Sequence, residues 1–116
     1  AMLAKQLLDD LIRKNTPNIA QSQLLQNYPN PFNPETWLPF RLSKPSEVTI
    51  GIYTPSGQLV KKIELGYRDI GDYSGRDSAI HWDGRNESGE EVSSGMYFYS
   101  INAGEFHATK KMIVKK

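Results

Sequence analysis

The sequence has no cysteine and little histidine. The absence of cysteine excludes a disulfide framework, thiol catalysis and cysteine-ligated zinc. There are two histidines, His81 and His107, and neither stands in a His-Glu-x-x-His frame. A catalytic set of Ser78, His81 and Asp83 can be assembled on paper, but solvated polar side chains are the simpler interpretation. We therefore expect a protein that is not an enzyme and has no small-molecule substrate.

Strong charge imbalance and long apolar segments are also missing. The 116 residues carry a formal net charge of +1, which gives no reason to expect a nucleic acid or a membrane surface as partner. No apolar run approaches the ~20 residues needed to cross a bilayer, and no signal peptide is recognisable. A hydrophobic content of 38% is ordinary for one small globular domain.

Residues 3–14, LAKQLLDDLIRK, have the apolar spacing of a short amphipathic helix. The apolar stripe of this helix includes Leu7, Leu8 and Leu11, and so short a helix needs a surface on which to bury them. That surface could belong to the following domain, to a preceding domain or to a second copy. Residues 1–23 are therefore predicted to be a helix and linker, and residues 24–116 a separate domain.

From Thr36 onward the apolar residues alternate with other residues, as they do in strands that bury one face. The run TWLPFRL contains Pro39, which marks a sheet edge because proline has no amide N–H. The runs EVTIGIYT and QLVKKIEL form the clearest hairpin, and MYFYSINA and HATKKMIVK form the last one. These short strands between Gly, Pro and Asn turns predict an all-β antiparallel sandwich.

The predicted core consists of apolar residues that share the inner faces of these strands. In MYFYSI the pattern is ambiguous, because Met96 and Phe98 compete with Tyr97, Tyr99 and Ile101 for the buried face. Residues 66–78 are predicted to be a long polar loop. The expected core residues are Phe32, Leu38, Phe40, Val48, Ile50, Ile52, Leu59, Ile63, Ile80, Trp82, Tyr97, Ile101 and Met112.

Acidic and amide side chains in two glycine-rich segments are candidate calcium ligands. Asp83 and Asn86 lie in DGRNESG, residues 83–89, and Asp69 and Asp72 lie in the polar loop. The 83–89 turn lacks the ligand spacing of an EF-hand. Alternatively, these side chains accept hydrogen bonds from the backbone of their own turns. We expect no cofactor, with calcium as the one candidate ion.

Residues 27–34, NYPNPFNP, form a proline-rich segment that we call the collar. Its prolines restrict the backbone of the residues on both sides, and its asparagines can accept hydrogen bonds from nearby backbone donors. Tyr28 and Phe32 are the apolar anchors, and Phe32 is expected to fill one end of the sandwich. The collar is thus predicted to be a stiff connection into the first strand.

Four lysines are grouped near the end of the chain: Lys110, Lys111, Lys115 and Lys116. Lysines along a terminal strand commonly protect a sheet edge from pairing with another chain. A binding patch is the alternative interpretation.

Three motifs together resemble a known family: NYPNPFNPETWLPFRL, VTIGIYTPSGQLVKKIELG and WDGRNESGEEVSSGMYFYSINAGEFHATKKMIVKK. They resemble the C-terminal sorting domain (type A) of the type IX secretion system, and equally the immunoglobulin-like domain of the flagellar hook-capping protein family. The resemblance extends from about Leu25 to Lys116. It implies an immunoglobulin-like sandwich of about seven strands in the C-terminal domain of a larger exported bacterial protein.

The resemblance also implies a function and a location. An export machine would recognise the domain, and export would often be followed by anchoring at the cell surface. The protein would reach that surface through the periplasm and outer membrane. We expect its partners to be proteins: the export machinery or neighbouring domains of the parent protein. The alternative is a structural or adhesive module that docks a neighbouring domain or self-associates through the helix.

We expect a partner to recognise the shape and the backbone of the recognition surface. This surface consists of the collar, the last hairpin and the basic tail. The residues assigned to it are Asn30, Pro31, Phe32, Asn33, Pro34, Lys110, Lys111, Lys115 and Lys116.

Overall fold

The computed structural model describes residues 19–116. This part of the chain forms nine strands, and all pairs of strands are antiparallel. The all-β class predicted from the sequence is confirmed, whereas the predicted helix at 3–14, with Leu7, Leu8 and Leu11, lies outside the described residues. No helix from residue 19 onward is long and apolar enough to cross a bilayer. The strands are β1 (Gln23–Leu24), β2 (Thr36–Leu38), β3 (Phe40–Leu42), β4 (Ser46–Tyr53), β5 (Leu59–Arg68), β6 (Gly71–Tyr73), β7 (Ile80–Trp82), β8 (Gly95–Ala103) and β9 (Phe106–Val114).

The largest sheet has the strand order β5-β4-β8-β9 and contains both hairpins that the alternation predicts. Two smaller sheets, β1-β3-β6 and β2-β7, contribute the rest of the strands within residues 19–116. The buried side chains of all three sheets meet in one apolar core, with Trp82 and Tyr99 among its largest members.

The run that looked like one strand, TWLPFRL, is two strands in two different sheets. Leu38 in β2 pairs with Ile80, while Phe40 in β3 pairs with Leu24 and Tyr73. Pro39 lies between them, and its carbonyl accepts the Leu25 N–H at 3.0 Å. Because proline has no N–H to continue a ladder, the chain changes sheets here. Together with the very short β1 and β6, this raises the strand count in the described region above the expected number.

Two predicted core residues are not fully buried. Leu59 is 52% exposed and Ile63 is only partly buried. The pairing of β4 with β5 shifts register between Ile52 and Tyr53, which places Leu59 opposite Tyr53 on the solvent side. A bulge of this kind breaks the simple alternation, so the prediction for Leu59 was wrong. In β8 the ambiguity is resolved, since Tyr97, Tyr99 and Ile101 are buried.

The predicted loop at 66–78 is shorter than expected. Strand β5 continues to Arg68, and β6 follows at Gly71–Tyr73. The Tyr73 ring stacks on Phe40 with centroids 4.7 Å apart, and this contact holds β6 on the edge of its sheet.

Candidate recognition site formed by the collar and the last strand

The collar begins beside β2 and is fixed there by backbone hydrogen bonds. The Tyr28 N–H donates to the Trp37 carbonyl at 3.0 Å, and the Trp37 N–H donates to the Tyr28 carbonyl at 2.8 Å. The peptide bonds preceding Pro29, Pro31 and Pro34 are cis.

A buried polar network supports this first part of the collar. Asn27 is 2% exposed, and its backbone N–H donates to the Tyr99 hydroxyl at 2.8 Å. That hydroxyl donates to the Leu25 carbonyl at 2.7 Å. The Asn27 amide group donates to Thr36 Oγ1 at 3.0 Å, and Thr36 donates to the Pro29 carbonyl at 3.0 Å. The side chains thus pair backbone groups that have no ladder partner, and burial raises the pKa of Tyr99 to about 12.

The middle of the collar pairs with the end of β9. Asn30 Oδ1 accepts the Ile113 N–H at 3.0 Å, so this asparagine bonds the last strand. The Phe32 N–H donates to the Ile113 carbonyl at 3.0 Å, and the Phe32 carbonyl accepts the Lys115 N–H at 3.1 Å. The Phe32 ring is 2% exposed and meets Trp82 edge-on at 5.5 Å. Phe32 is therefore the buried anchor that the sequence predicts.

The last part of the collar lies against the turn that follows β7. Gly84 has a φ of 75°, and a Cβ atom added to it would lie 2.5 Å from the Pro34 carbonyl oxygen. The indole N–H of Trp82 donates to the Arg85 carbonyl at 3.0 Å and holds this turn over the core. Glycine is required here both for its backbone conformation and for the close approach of the collar.

The structure brings the collar next to part of the basic tail but does not gather the four lysines into one patch. Lys111 and Lys115 are exposed on either side of Ile113, whereas Lys110 is partly buried on the inward-facing side of β9. Lys116 pairs with Glu91 at 3.4 Å. Within residues 19–116, no carboxylate lies within salt-bridge distance of the other three lysines.

The four candidate calcium ligands already bond their own turns. Each accepts a nearby backbone N–H at 2.8–3.1 Å: Asp69, Asp72, Asp83 and Asn86. Hydrogen bonding from Ser74 and the charge of Arg41 hold the pKa of Asp72 below its ordinary value. No group of three His, Asp or Glu side chains that could hold a metal occurs in the described part of the chain. These contacts favour the turn-stabilising interpretation.

A cluster of aromatic and charged side chains that the sequence analysis missed covers the outer side of β2 and β7. Trp37 stacks on Tyr28 at 6.3 Å, and the Arg76 guanidinium lies 4.4 Å from the centre of its ring. The His81 ring lies 5.2 Å from Trp37 because these residues are directly opposite in the ladder. The β2–β7 register places His81 beside Trp37, and a separate bridge places Tyr28 there. No local motif in the sequence indicates either pairing.

The geometry around His81 also bears on the catalytic set. His81 Nε2 lies 2.6 Å from Glu35 Oε2. Ser78 instead donates to the Gly75 carbonyl, and Asp83 accepts the Arg85 N–H. The hydrogen bonds of His81, Ser78 and Asp83 therefore run to other partners.

Five apolar side chains form a band across the solvent side of the large sheet, which we call the outer stripe: Tyr53, Leu59, Met96, Phe98 and Ile113. Leu59 faces Tyr53, Tyr53 faces Phe98, and Met96 faces Ile113 across neighbouring strands. Met96 and Ile113 are each 40% exposed. Tyr53 and Phe98 are partly buried. A contiguous apolar band of this kind is a candidate contact surface for another protein.

Residues 32–105 match the family described as the FlgD Ig-like domain. This match covers more than half of the chain and spans β2 to β8. The chain belongs to the FlgD Ig-like domain family. The resemblance seen in the sequence motifs is thereby confirmed. No curated protein matches the sequence.

Two solved structures from Porphyromonas gingivalis share the fold of this FlgD Ig-like domain. One is dimeric latent PorU, with a TM-score of 0.56 and 22% identity over 85% of this chain and 10% of PorU. The other is PorZ, described as an essential bacterial surface component of the type IX secretion system. Its TM-score is 0.53, with 18% identity over 78% of this chain and 11% of PorZ. The chain thus corresponds to about a tenth of each protein, and this likeness shows the fold alone.

The close contact between the collar and Gly84 predicts a difference between two glycine variants. Gly84 and Gly89 both have positive φ, at 75° and 79°, so alanine costs about 1–2 kcal/mol of backbone strain at either position. Only at Gly84 would the new Cβ meet the collar, since nothing lies within 4 Å of a Cβ at Gly89. Urea unfolding followed by tryptophan fluorescence should show a larger loss for Gly84→Ala. Equal losses would contradict the seating of the collar on this turn.

The buried Tyr99 hydroxyl predicts a loss of stability at high pH. The unfolded chain releases this proton near the ordinary pKa of 10, whereas the folded chain holds it to about 12. The free energy of unfolding should therefore be unaffected by this group below pH 10 and fall between pH 10 and 12. Tyr99→Phe should remove that fall and cost about 1–3 kcal/mol at neutral pH, because it leaves buried groups unpaired. Tyr67→Phe, at an exposed ring, is the control, and an unchanged pH profile in Tyr99→Phe would refute the assignment.

Proposed function

We propose that this FlgD Ig-like domain is the non-enzymatic C-terminal domain of a larger exported bacterial protein. In this role it is recognised by a secretion machine of the type IX class, anchors the parent protein at the cell surface, or does both. The observation that carries the proposal is the pairing of the collar with the end of β9. This pairing makes one exposed surface from the collar and the end of β9, the two segments that the sequence analysis assigns to recognition.

The composition of this surface supports recognition by a protein. Asn30, Pro31, Asn33 and Pro34 are exposed along the collar, and Lys111 and Lys115 are exposed beside it. The fold likeness to PorZ, a surface component of the type IX system, also supports a location outside the cell, reached through the periplasm and outer membrane. The partners are the export machinery or neighbouring domains, and the domain acts without a cofactor.

The proposal is tested by attaching the 116-residue chain to the C-terminus of a reporter enzyme in a bacterium with a type IX secretion system. We expect the reporter to appear on the cell surface or in the medium. Lys111→Glu with Lys115→Glu should lower display by about tenfold or more, because reversing both charges opposes docking. Lys44→Glu with Lys62→Glu, which makes the same change of charge elsewhere, is the matched control.

Normal display of the Lys111/Lys115 variant would contradict a role for these lysines, and retention of every fusion inside the cell would contradict the sorting function. Deleting residues 106–116 is a less informative test. That deletion removes Met112 and Val114 from the core, so it does not separate loss of recognition from loss of folding.

The outer stripe favours a second candidate function, a structural or adhesive interaction module. Under this alternative, light scattering finds a dimer or larger species, and Met96→Lys with Ile113→Lys returns it to a monomer. Leu7→Glu with Leu11→Glu tests the predicted helix in the same way.

The sorting function instead predicts a monomer whose mass in solution does not change when calcium is added. A monomer at all concentrations would contradict self-association, and a calcium-dependent mass would contradict a cofactor-free domain.

A further inference from the structure

Strand β9 is the outermost strand of the large sheet, so one of its edges has no neighbouring strand in that sheet. In an antiparallel sheet, alternate residues direct both backbone groups to the same edge. In the second half of β9 the collar region covers this edge. The Lys111 carbonyl accepts Gln26 Nε2 at 2.8 Å, and Ile113 and Lys115 bond Asn30 and Phe32.

In the first half of the same edge, no residue between 19 and 116 forms a strand pair with β9. By the same alternation, His107 and Thr109 direct their N–H and carbonyl groups outward, as Lys111 does with its N–H. None of these groups has a hydrogen-bond partner among residues 19–116. We call this stretch, residues 107–111, the open edge. Native sheets usually protect such edges, and the part of the chain from residue 19 onward pairs only half of this one.

A groove runs beside the open edge. It has a volume of about 420 Å³ and lies between the segment that contains Leu24 and Leu25 and the first half of β9. Phe106, Ala108 and Lys110 line it from β9 and are partly buried. Side chains alternate across a strand, so every second side chain of an added strand would enter this groove.

We propose that the open edge binds an extended peptide segment of a partner protein as an additional antiparallel strand. In this mode, backbone hydrogen bonds give affinity and the side chains that enter the groove give specificity. The identity of the partner, a protein of the export or surface-attachment machinery, rests on the proposed function. The binding mode rests only on the open edge and its groove.

The chemistry of the open edge specifies the peptide. The peptide side chains that enter the groove are apolar, because Leu24, Leu25, Phe106 and Ala108 line it beside the polar Gln23, Gln26, Thr109 and Lys110. The peptide side chains on the opposite face are acidic, because they lie next to the exposed Lys111. Lys111 has no carboxylate within salt-bridge distance in the described part of the chain. A second copy fits less well, since antiparallel pairing around Thr109 would set Lys111 opposite a histidine and not a carboxylate.

The probe is the capped peptide Glu-Val-Glu-Val-Glu-Val-Glu, added to the full 116-residue chain. In the free chain, the amide protons of His107, Thr109 and Lys111 should exchange quickly, and those of Ala108 and Lys110 slowly. With peptide, NMR should show exchange at the three outward amides slowed by about tenfold or more. No slowing at the highest soluble peptide concentration would overturn the proposal.

Two control peptides distinguish backbone pairing from nonspecific binding. A peptide with N-methylated glutamates cannot donate to the open edge, and one with lysine in place of glutamate has the wrong charge. Both should lose at least about tenfold in affinity. Equal binding of the N-methylated peptide would overturn strand addition, and equal binding of the lysine peptide would overturn the acidic specificity.

The protein variant Thr109→Pro tests the open edge directly. Proline removes an outward N–H and blocks an added strand, but takes no bond from β8, because the Thr109 N–H points away from it. We expect an affinity loss of at least about tenfold for Thr109→Pro and little change for Thr109→Ala, which is the matched control. If Thr109→Pro does not fold, the N-methylated peptide decides the question.

The reporter fusion distinguishes failure of this proposal from failure of the sorting function. Loss of both peptide binding and export in Thr109→Pro supports the open edge as the docking site. Loss of peptide binding with normal export overturns the link between the open edge and export. Unchanged peptide binding in folded Thr109→Pro overturns the binding mode, whatever the export result.

Discussion

The pairing of Phe32 with the end of β9 joins the two ends of the domain. Its N–H and carbonyl bond Ile113 and Lys115, while its ring lies buried against Trp82. The collar cannot form a helix or a central strand, because its prolines lack N–H groups. Its position therefore depends on the last strand, on the Tyr99 hydroxyl and on the close approach at Gly84. In return, the collar covers half of an edge that would otherwise be open.

The sequence predicted the long strands well because their pattern is local. Alternation of apolar residues identified β4, β5, β8 and β9, and most of the predicted core residues are buried. It failed where the outcome depends on pairing with distant residues. Leu59 has the right spacing for the core, but the β4–β5 bulge turns it outward. Pro39 was expected to mark an edge, but it marks a change of sheet, and only the partners of β2 and β3 reveal this.

The candidate site was predictable as a set of segments but not as a surface. Proline and asparagine spacing identified the collar, and its resemblance to a family assigned it a role. Neither indicated that Asn30 bonds Ile113, 83 residues away. The lysines were predicted as a group, but the alternation of β9 directs Lys110 to one side and Lys111 to the other. The aromatic cluster around Trp37 and the open edge both follow from register, which has no signature in a short stretch of sequence.

The contact between the collar and β9 also determines when the domain can finish folding. The collar is synthesised early, yet the backbone groups that hold its middle part, Asn30 to Phe32, belong to residues 113–115. The contact joins residues that are about 80 positions apart. The entropic cost of bringing them together must be met before the contact can form, which slows this step of folding. This middle part therefore stays without its partners until residues 113–115 have left the ribosome. A protein that carries this domain would therefore expose an incompletely paired collar until synthesis of the domain is finished.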